Sequence, residues 1–199
     1  CIQKQQLDCC RADIIGIQEV NAKQGIIDTY RNQLRDQGWH CCFSPGPPPA
    51  VCRVAAKDGA AAHSRCGTQA VAGGTAVIAK HPLITVEPEH NLRHIPTAEL
   101  AQSHRWCEAF IPMGQNPWVK YIVVAAWYGH SGANKTASTK DGSWADNEDF
   151  LARAFEHAAS YGDVPYYICV DANVDCDASD ILSKALGSDQ WHNVLEVAG

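Results

Sequence analysis

Val119-Lys120-Tyr121-Ile122-Val123-Val124-Ala125-Ala126-Trp127-Tyr128 is the stretch that decides the fold. Along an extended chain Val119, Tyr121, Val123, Ala125 and Trp127 share one face, and Ile122, Val124, Ala126 and Tyr128 share the other. A strand that is apolar on both faces is covered on both sides, as at the centre of a layered domain of helices and sheets. Upstream, residues 75–79, 83–86 and 105–111 read as strands that follow one another with no helix between them, which implies antiparallel pairing. Downstream, Phe150, Leu151, Ala154, Phe155 and Ala158 recur at helical spacing within residues 146–161. Residues 166–170 then form another doubly apolar strand that ends at Asp171, and residues 178–186 a short helix with Asp177 as its cap and Gly187 as its stop.

The N-terminal part reads in the same way. Residues 1–10 look like the end of a helix, and Asp13 to Gln18 gives a short buried strand. Ile26, Ile27, Tyr30 and Leu34 mark an amphipathic helix over 23–37, Gly38 sits at its C-terminal cap, and 39–43 form a second strand. Residues 44–73 are rich in Pro, Gly and Ala, and within them Pro45-Gly46-Pro47-Pro48-Pro49 can join neither a ladder nor a helix. They are read as a surface loop or insertion rather than as the rim of a site. The expected architecture is α+β: a four-layer α/β/β/α sandwich in a single domain over residues 1–199.

Composition narrows the function. Hydrophobic residues make up 46% and charged residues 19% of 199, the balance of an ordinary globular chain. No apolar run approaches the roughly 20 residues that span a bilayer, and the first ten residues have no signal-peptide core. The net charge of -6 argues mildly against a dedicated duplex binder, although carboxylates gathered at a metal also make a domain acidic. The ten cysteines include the adjacent pairs Cys9-Cys10 and Cys41-Cys42 and no CxxC. They are expected to be free thiols in a reducing, intracellular setting, nuclear or cytoplasmic. Cys52, His63 and Cys66 do not have the spacing of a zinc site.

Three strand ends carry polar groups. Ile17-Gln18-Glu19 places a carboxylate at the end of a buried strand, Val170-Asp171-Ala172-Asn173 places a carboxylate and an amide, and Trp127-Tyr128-Gly129-His130 places a phenol and an imidazole. Each has an ordinary structural explanation when taken alone: a carboxylate meeting solvent, a turn, a core tyrosine followed by a loop histidine. Together they are the layout of a hydrolase that needs a hard cation held by carboxylates.

These segments resemble the endonuclease/exonuclease/phosphatase family. Gln18-Glu19 is similar to its metal-binding "QE" motif, and Gly73-Gly74-Thr75-Ala76-Val77-Ile78-Ala79-Lys80 to its glycine-led core strand. Residues 123–130 are similar to the strand that ends in a catalytic Tyr or His. Val170-Asp171-Ala172-Asn173 is similar to its "GDxN" motif, with Val170 where glycine is usual. Within the family, Tyr128 to Asn173 looks most like apurinic-type and retroelement endonucleases. The family's opening strand with its Asn, and its closing Asp-His, have no counterpart here; His192 lies in Trp191-His192-Asn193. The resemblance therefore implies a domain truncated at both ends.

It also implies a metal-dependent phosphodiester hydrolase acting on DNA. Glu19 would help to bind Mg²⁺ or Mn²⁺, and Asp171 would orient the attacking water or assist proton transfer. Asn173 and Tyr128 would hold the non-bridging oxygens, with His130 as a second phosphate contact. A phosphatase or phospholipase of the same family, or a catalytically silent fragment, are the alternatives. His63, Arg65, Lys135 and Lys140 lean toward nucleic acid. On this reading the polar atoms of Glu19, Tyr128, Asp171 and Asn173 converge within about 10 Å.

Overall fold

Alternation of side chains along two central strands organises the molecule. The computed structural model describes residues 11–22, 24–46, 73–85, 100–114, 116–130, 143–174 and 177–194. Its elements are β1 (Ile14–Gln18), α1 (Gln24–Asp36), β2 (His40–Ser44), β3 (Thr75–Ala79), β4 (Ile84–Thr85), β5 (Trp106–Pro112), β6 (Tyr121–Tyr128), α2 (Ser143–Ala159), β7 (Tyr166–Asp171) and α3 (Asp180–Leu186). One sheet has the order β1-β3-β2 and the other β4-β5-β6-β7. All pairings are antiparallel except that of β6 with β7, which are joined through α2 and run parallel. The helix end expected at 1–10, the body of the 44–73 loop, Val86, the Cys52/His63/Cys66 set, Arg65, Lys135 and Lys140 lie outside the described residues.

The two sheets stack through Val77 and Ala79 of β3, Cys107, Ala109 and Ile111 of β5, and Val124 and Ala126 of β6. The opposite face of β6, Ala125 and Trp127, packs with Trp106 against Leu151 and Ala154 of α2 and Leu182 of α3. On the far side Leu34 of α1 joins Trp39, Ile78, Ile15, Ile17 and Cys41 on the outer face of the first sheet. The layers are therefore helix, sheet, sheet, helix, and β6 is apolar on both faces because it has a layer on each side. No helix among the described residues is long and apolar enough to cross a membrane.

Some elements differ from their sequence reading. Strand β7 is not buried on both faces: Tyr167 is 48% and Val170 41% exposed, because β7 is the last strand of its sheet among the described residues. Strand β4 begins at Ile84 rather than Leu83, and its two described residues are exposed. The cap of α3 is Ser179, whose Oγ accepts from the Leu182 N–H at 3.1 Å, rather than Asp177. The stop after α1 is as read: Gly38 has φ +79, its N–H reaches Arg35 O at 2.9 Å, and the Trp39 N–H reaches Leu34 O at 2.9 Å. That pair of bonds satisfies the last carbonyls of the helix.

A carboxylate lies unexpectedly inside. Glu108, in mid-β5 and 9% exposed, points toward α2 and meets His157 Nε2 at 2.7 Å. It also accepts from Tyr161 Oη at 2.9 Å and from Tyr166 Oη. With three partners the buried carboxylate is satisfied. Burial, then the Glu108 charge and hydrogen bond, push both phenols far above their usual pKa. The described cysteines, Cys41, Cys42, Cys107 and Cys169, are free thiols. Burial pushes Cys41 up to about 11 and also raises Cys169, so neither is a ready thiolate.

The sheets approach closely where β1 crosses β7. A Cβ on Gly16 would sit 2.2 Å from Cys169 Cβ, closer than any real contact. Gly16→Ala is therefore expected to force the sheets apart and to destabilise the fold by about 1–3 kcal/mol. A shift of the urea midpoint at unchanged slope checks this, and a midpoint equal to that of the unmodified chain contradicts it.

Candidate active site

Register and core packing assign the facing residues at one end of the sandwich. Ile14 and Cys42 pack into the space between the sheets, as do Val77 and Ala79. Continuing the alternation along each strand, Gln18, Ser44 and Thr75 form the last row of the first sheet, paired as Gln18↔Thr75 and Ser44↔Thr75. On the second sheet the same alternation, continued from Cys107, Ala126 and Cys169, gives Arg105, Tyr128 and Asp171, with Tyr128 opposite Asp171. The apolar interior thus ends in a polar row on both sheets. Gln18 closes the gap by donating from Nε2 to Cys169 O at 3.0 Å.

Glu19 follows directly. Its backbone is left-handed (φ +53), as are Asn21 (φ +49) and Asn173 (φ +51). For a non-glycine residue this costs of order 1–2 kcal/mol, less for Asn, whose short side chain suits the region. The turn is held from β3: Val20 N–H to Gly74 O at 3.1 Å, Asn21 N–H to Gly73 O at 2.8 Å, and Gly73 N–H to Asn21 Oδ1 at 2.7 Å. Gly74 must be glycine, since its φ is +88 and a Cβ would meet Gly46 N at 2.9 Å. So held, the exposed Glu19 accepts at Oε1 from Tyr128 Oη.

The loops after β6 and β7 are tied together. The Gly129 N–H donates to Asp171 O at 2.7 Å, Asn173 Nδ2 donates to Gly129 O at 3.2 Å, and the Asn173 N–H reaches Asp171 Oδ1 at 3.3 Å. A Cβ on Gly129 would lie 2.3 Å from Ala172 O. Behind both loops stands Asn147 of α2, which is 0% exposed. Its Oδ1 accepts from the His130 N–H at 2.7 Å, and its Nδ2 donates to His130 O at 3.2 Å and Ala172 O at 3.0 Å.

Glu19, Tyr128, Asp171 and Asn173 are therefore assembled at the same edge. His130 is directed elsewhere: with Leu100, Asp146, Asp149, Phe150 and Arg153 it lines a shallow cavity of about 270 Å³. Burial holds its imidazole below the usual pKa, the Arg105 charge adds to this and Asp146 opposes it, so at neutral pH the ring is uncharged. Sequence reasoning missed Asn147, Arg105 and Thr75. The signals were faint: Asn147 interrupts the Leu151–Ala154–Ala158 stripe, and Arg105 and Thr75 are polar at inward positions of buried strands. Thr75 Oγ1 is buried with no hydrogen-bond partner among the described residues.

No set of three or more His, Cys, Asp or Glu side chains among the described residues is placed to hold a metal ion. The donors present suit a different mode. Mg²⁺ is held through one or two carboxylates plus substrate phosphate and water, and Glu19 and Asp171 are exposed hard-oxygen donors on strand ends that meet at one edge. Among the described residues a soft or imidazole-preferring metal has no comparable ligand set at this edge.

No protein-family model matches the chain, and no curated protein sequence matches it. Among solved structures the chain is similar to the human Nocturnin catalytic domain, determined with a bound sulfate anion. The TM-score is 0.55 at 13% identity, over 94% of this chain and 59% of that one. The likeness is one of fold, an α+β sandwich of two sheets with flanking helices, and the chain spans about three-fifths of that domain's length.

Two outcomes follow from the loop geometry. Asn147→Ala leaves the His130 N–H and two carbonyls without partners and is expected to cost about 2–3 kcal/mol. Asn147→Asp, which turns the donor into a second acceptor facing those carbonyls, should fare no better, as chemical denaturation can measure. For His130 the folded pKa is depressed, so the unfolded chain takes up the proton first as pH falls. Stability linked to it is full above about pH 6.5 and declines below. His130→Gln should flatten the stability–pH curve below that value relative to the parent chain, and identical curves would contradict the assignment.

Proposed function

We propose that the chain carries the core of a divalent-metal-dependent phosphodiester hydrolase of the endonuclease/exonuclease/phosphatase type, acting on a DNA backbone as apurinic or retroelement endonucleases do. The observation that carries this reading is the gathering of Glu19, Tyr128, Asp171 and Asn173, from three separate strands, at the edge where Glu19 and Asn173 also adopt left-handed backbone. Backbone strain concentrated at a cluster of polar groups is a mark of a functional site. The sulfate of the Nocturnin domain, a tetrahedral anion shaped like phosphate, is in keeping with the reading.

Glu19 would hold Mg²⁺ or Mn²⁺, which when bound supplies Lewis-acid polarisation of a phosphoryl oxygen. Asp171, fixed by the Asn173 N–H, orients the attacking water and takes up its proton. Tyr128 and Asn173 direct an O–H and an N–H toward the non-bridging oxygens, whose charge grows in the transition state. In the substrate-free chain these donors are occupied by Glu19 and Gly129 O, so an arriving phosphate exchanges one acceptor for another. His130, uncharged at neutral pH, would serve at most as a neutral hydrogen-bond partner for a flanking phosphate. A lipid head group is the less favoured substrate. The exposed apolar tip of the β5–β6 hairpin, Met113 and the 91%-exposed Trp118, lies at the opposite end of the sheet from Tyr128.

The test is nicking of plasmid DNA carrying abasic sites, with RNA, a phosphoinositide and sphingomyelin assayed in parallel. Cleavage should require Mg²⁺ or Mn²⁺ and stop with a chelator. Tyr128→Phe and Asn173→Ala should each slow it by about 10²–10³, and Asp171→Ala should abolish it. Cleavage that persists in chelator or in Asp171→Ala would sink the proposal, and turnover of a lipid or phosphoinositide alone would redirect it to the phosphatase or phospholipase branch.

A further inference from the structure

Outside the four residues of the proposed site, Arg105 is the charged side chain most closely bound up with it. It stands just before β5 and is half-buried, where burial lowers its pKa. Its entry is sharply bent: His104 has φ +57, and Ser103 Oγ donates to Leu100 O and accepts from the Arg105 N–H at 3.1 Å. Three contacts then converge on Tyr128, and a fourth reaches Gly129. The Tyr128 N–H donates to Arg105 O at 3.1 Å, Arg105 Nη1 donates to Tyr128 O at 3.2 Å and Gly129 O at 3.0 Å, and Arg105 Cζ lies 5.4 Å from the centroid of the Tyr128 ring. A guanidinium that grips the carbonyls of a residue and also covers its ring leaves that ring few orientations.

We propose that Arg105 is a positioning residue for the reaction, holding the Tyr128 ring so that its hydroxyl faces the edge shared by Glu19 and Asp171. The inference rests on the proposed hydrolase activity for its kinetic consequences, whereas the positioning itself does not. Arg105 bonds to the carbonyls that begin the loop after β6, and Asn173 Nδ2 shares Gly129 O with it. It therefore sets the ring against the same backbone that carries Asn173. A lysine at this position keeps the charge and one carbonyl bond but loses the flat group over the ring.

Two measurements decide it. In the nicking assay Arg105→Gln should lower kcat about tenfold with KM nearly unchanged, and Arg105→Lys should recover part of the loss. In a Tyr128→Phe background, where the hydroxyl is gone, Arg105→Gln should cost less than about threefold, because both changes remove the same interaction. Equal losses in the two backgrounds would overturn the inference. The second measurement needs no activity: ¹³C-tyrosine labelling gives ring signals for the six tyrosines, and that of Tyr128 is identified by its absence in Tyr128→Phe. Arg105→Gln should shift or broaden it while leaving the other signals in place, and Arg105→Lys should give an intermediate change. An unmoved Tyr128 signal overturns the inference, and the Lys variant carries the test if the Gln variant does not fold. If the parent chain cleaves no phosphodiester, the proposed function fails while the ring signal still decides on Arg105.

Discussion

The approach of β1 to β7 is the constraint on which the site depends. At Gly16 the two sheets lie so close that a single methyl group has no room against Cys169. That contact sets how far β1 can slide across the second sheet, and therefore where its end falls. Two residues further along β1, Gln18 reaches Cys169 O, and just past the strand Glu19 accepts from the Tyr128 hydroxyl. If the sheets stood a side chain further apart, the carboxylate at the end of β1 and the groups at the ends of β6 and β7 would belong to separate surfaces. Close packing of sheet on sheet thus fixes a distance between polar groups that make few direct bonds of their own.

Much of the architecture was legible because burial on two sides leaves a plain mark. The two apolar faces of residues 119–128 could be read as a strand between layers, of which β6 keeps 121–128, and the helix stripe of Leu151, Ala154 and Ala158 as the layer above it. Strand β7 misled, since Tyr167 and Val170 are apolar and yet exposed. Hydrophobicity reports what a residue could bury, and an edge position depends on a neighbour the local sequence does not name. Ser179 displaced Asp177 as a cap because Glu148 of α2 accepts its hydroxyl and the Ile181 N–H at 3.2 Å, a tertiary contact with no local signature.

The site was legible in part and for a definite reason. Groups at the ends of strands stand beside apolar runs, so Glu19, Tyr128, Asp171 and Asn173 are conspicuous. The residues that hold them are not. Asn147 and Arg105 act on main-chain carbonyls and amides, which carry no identity in a sequence. In the sequence Glu108 is one acidic position on a strand, and only the fold brings His157, Tyr161 and Tyr166 around it. That network occupies the middle of the second sheet rather than its polar edge, so it belongs to the frame that supports the site.

The grip of Asn147 on backbone alone has an evolutionary consequence. Because it recognises the N–H and C=O of residue 130 and the C=O of residue 172, the bonds of the clamp do not depend on which side chains stand there, although Ala172 also packs against the core. Lineages sharing this frame are then at liberty to diversify the loops that would meet a substrate, while the edge they surround keeps its shape.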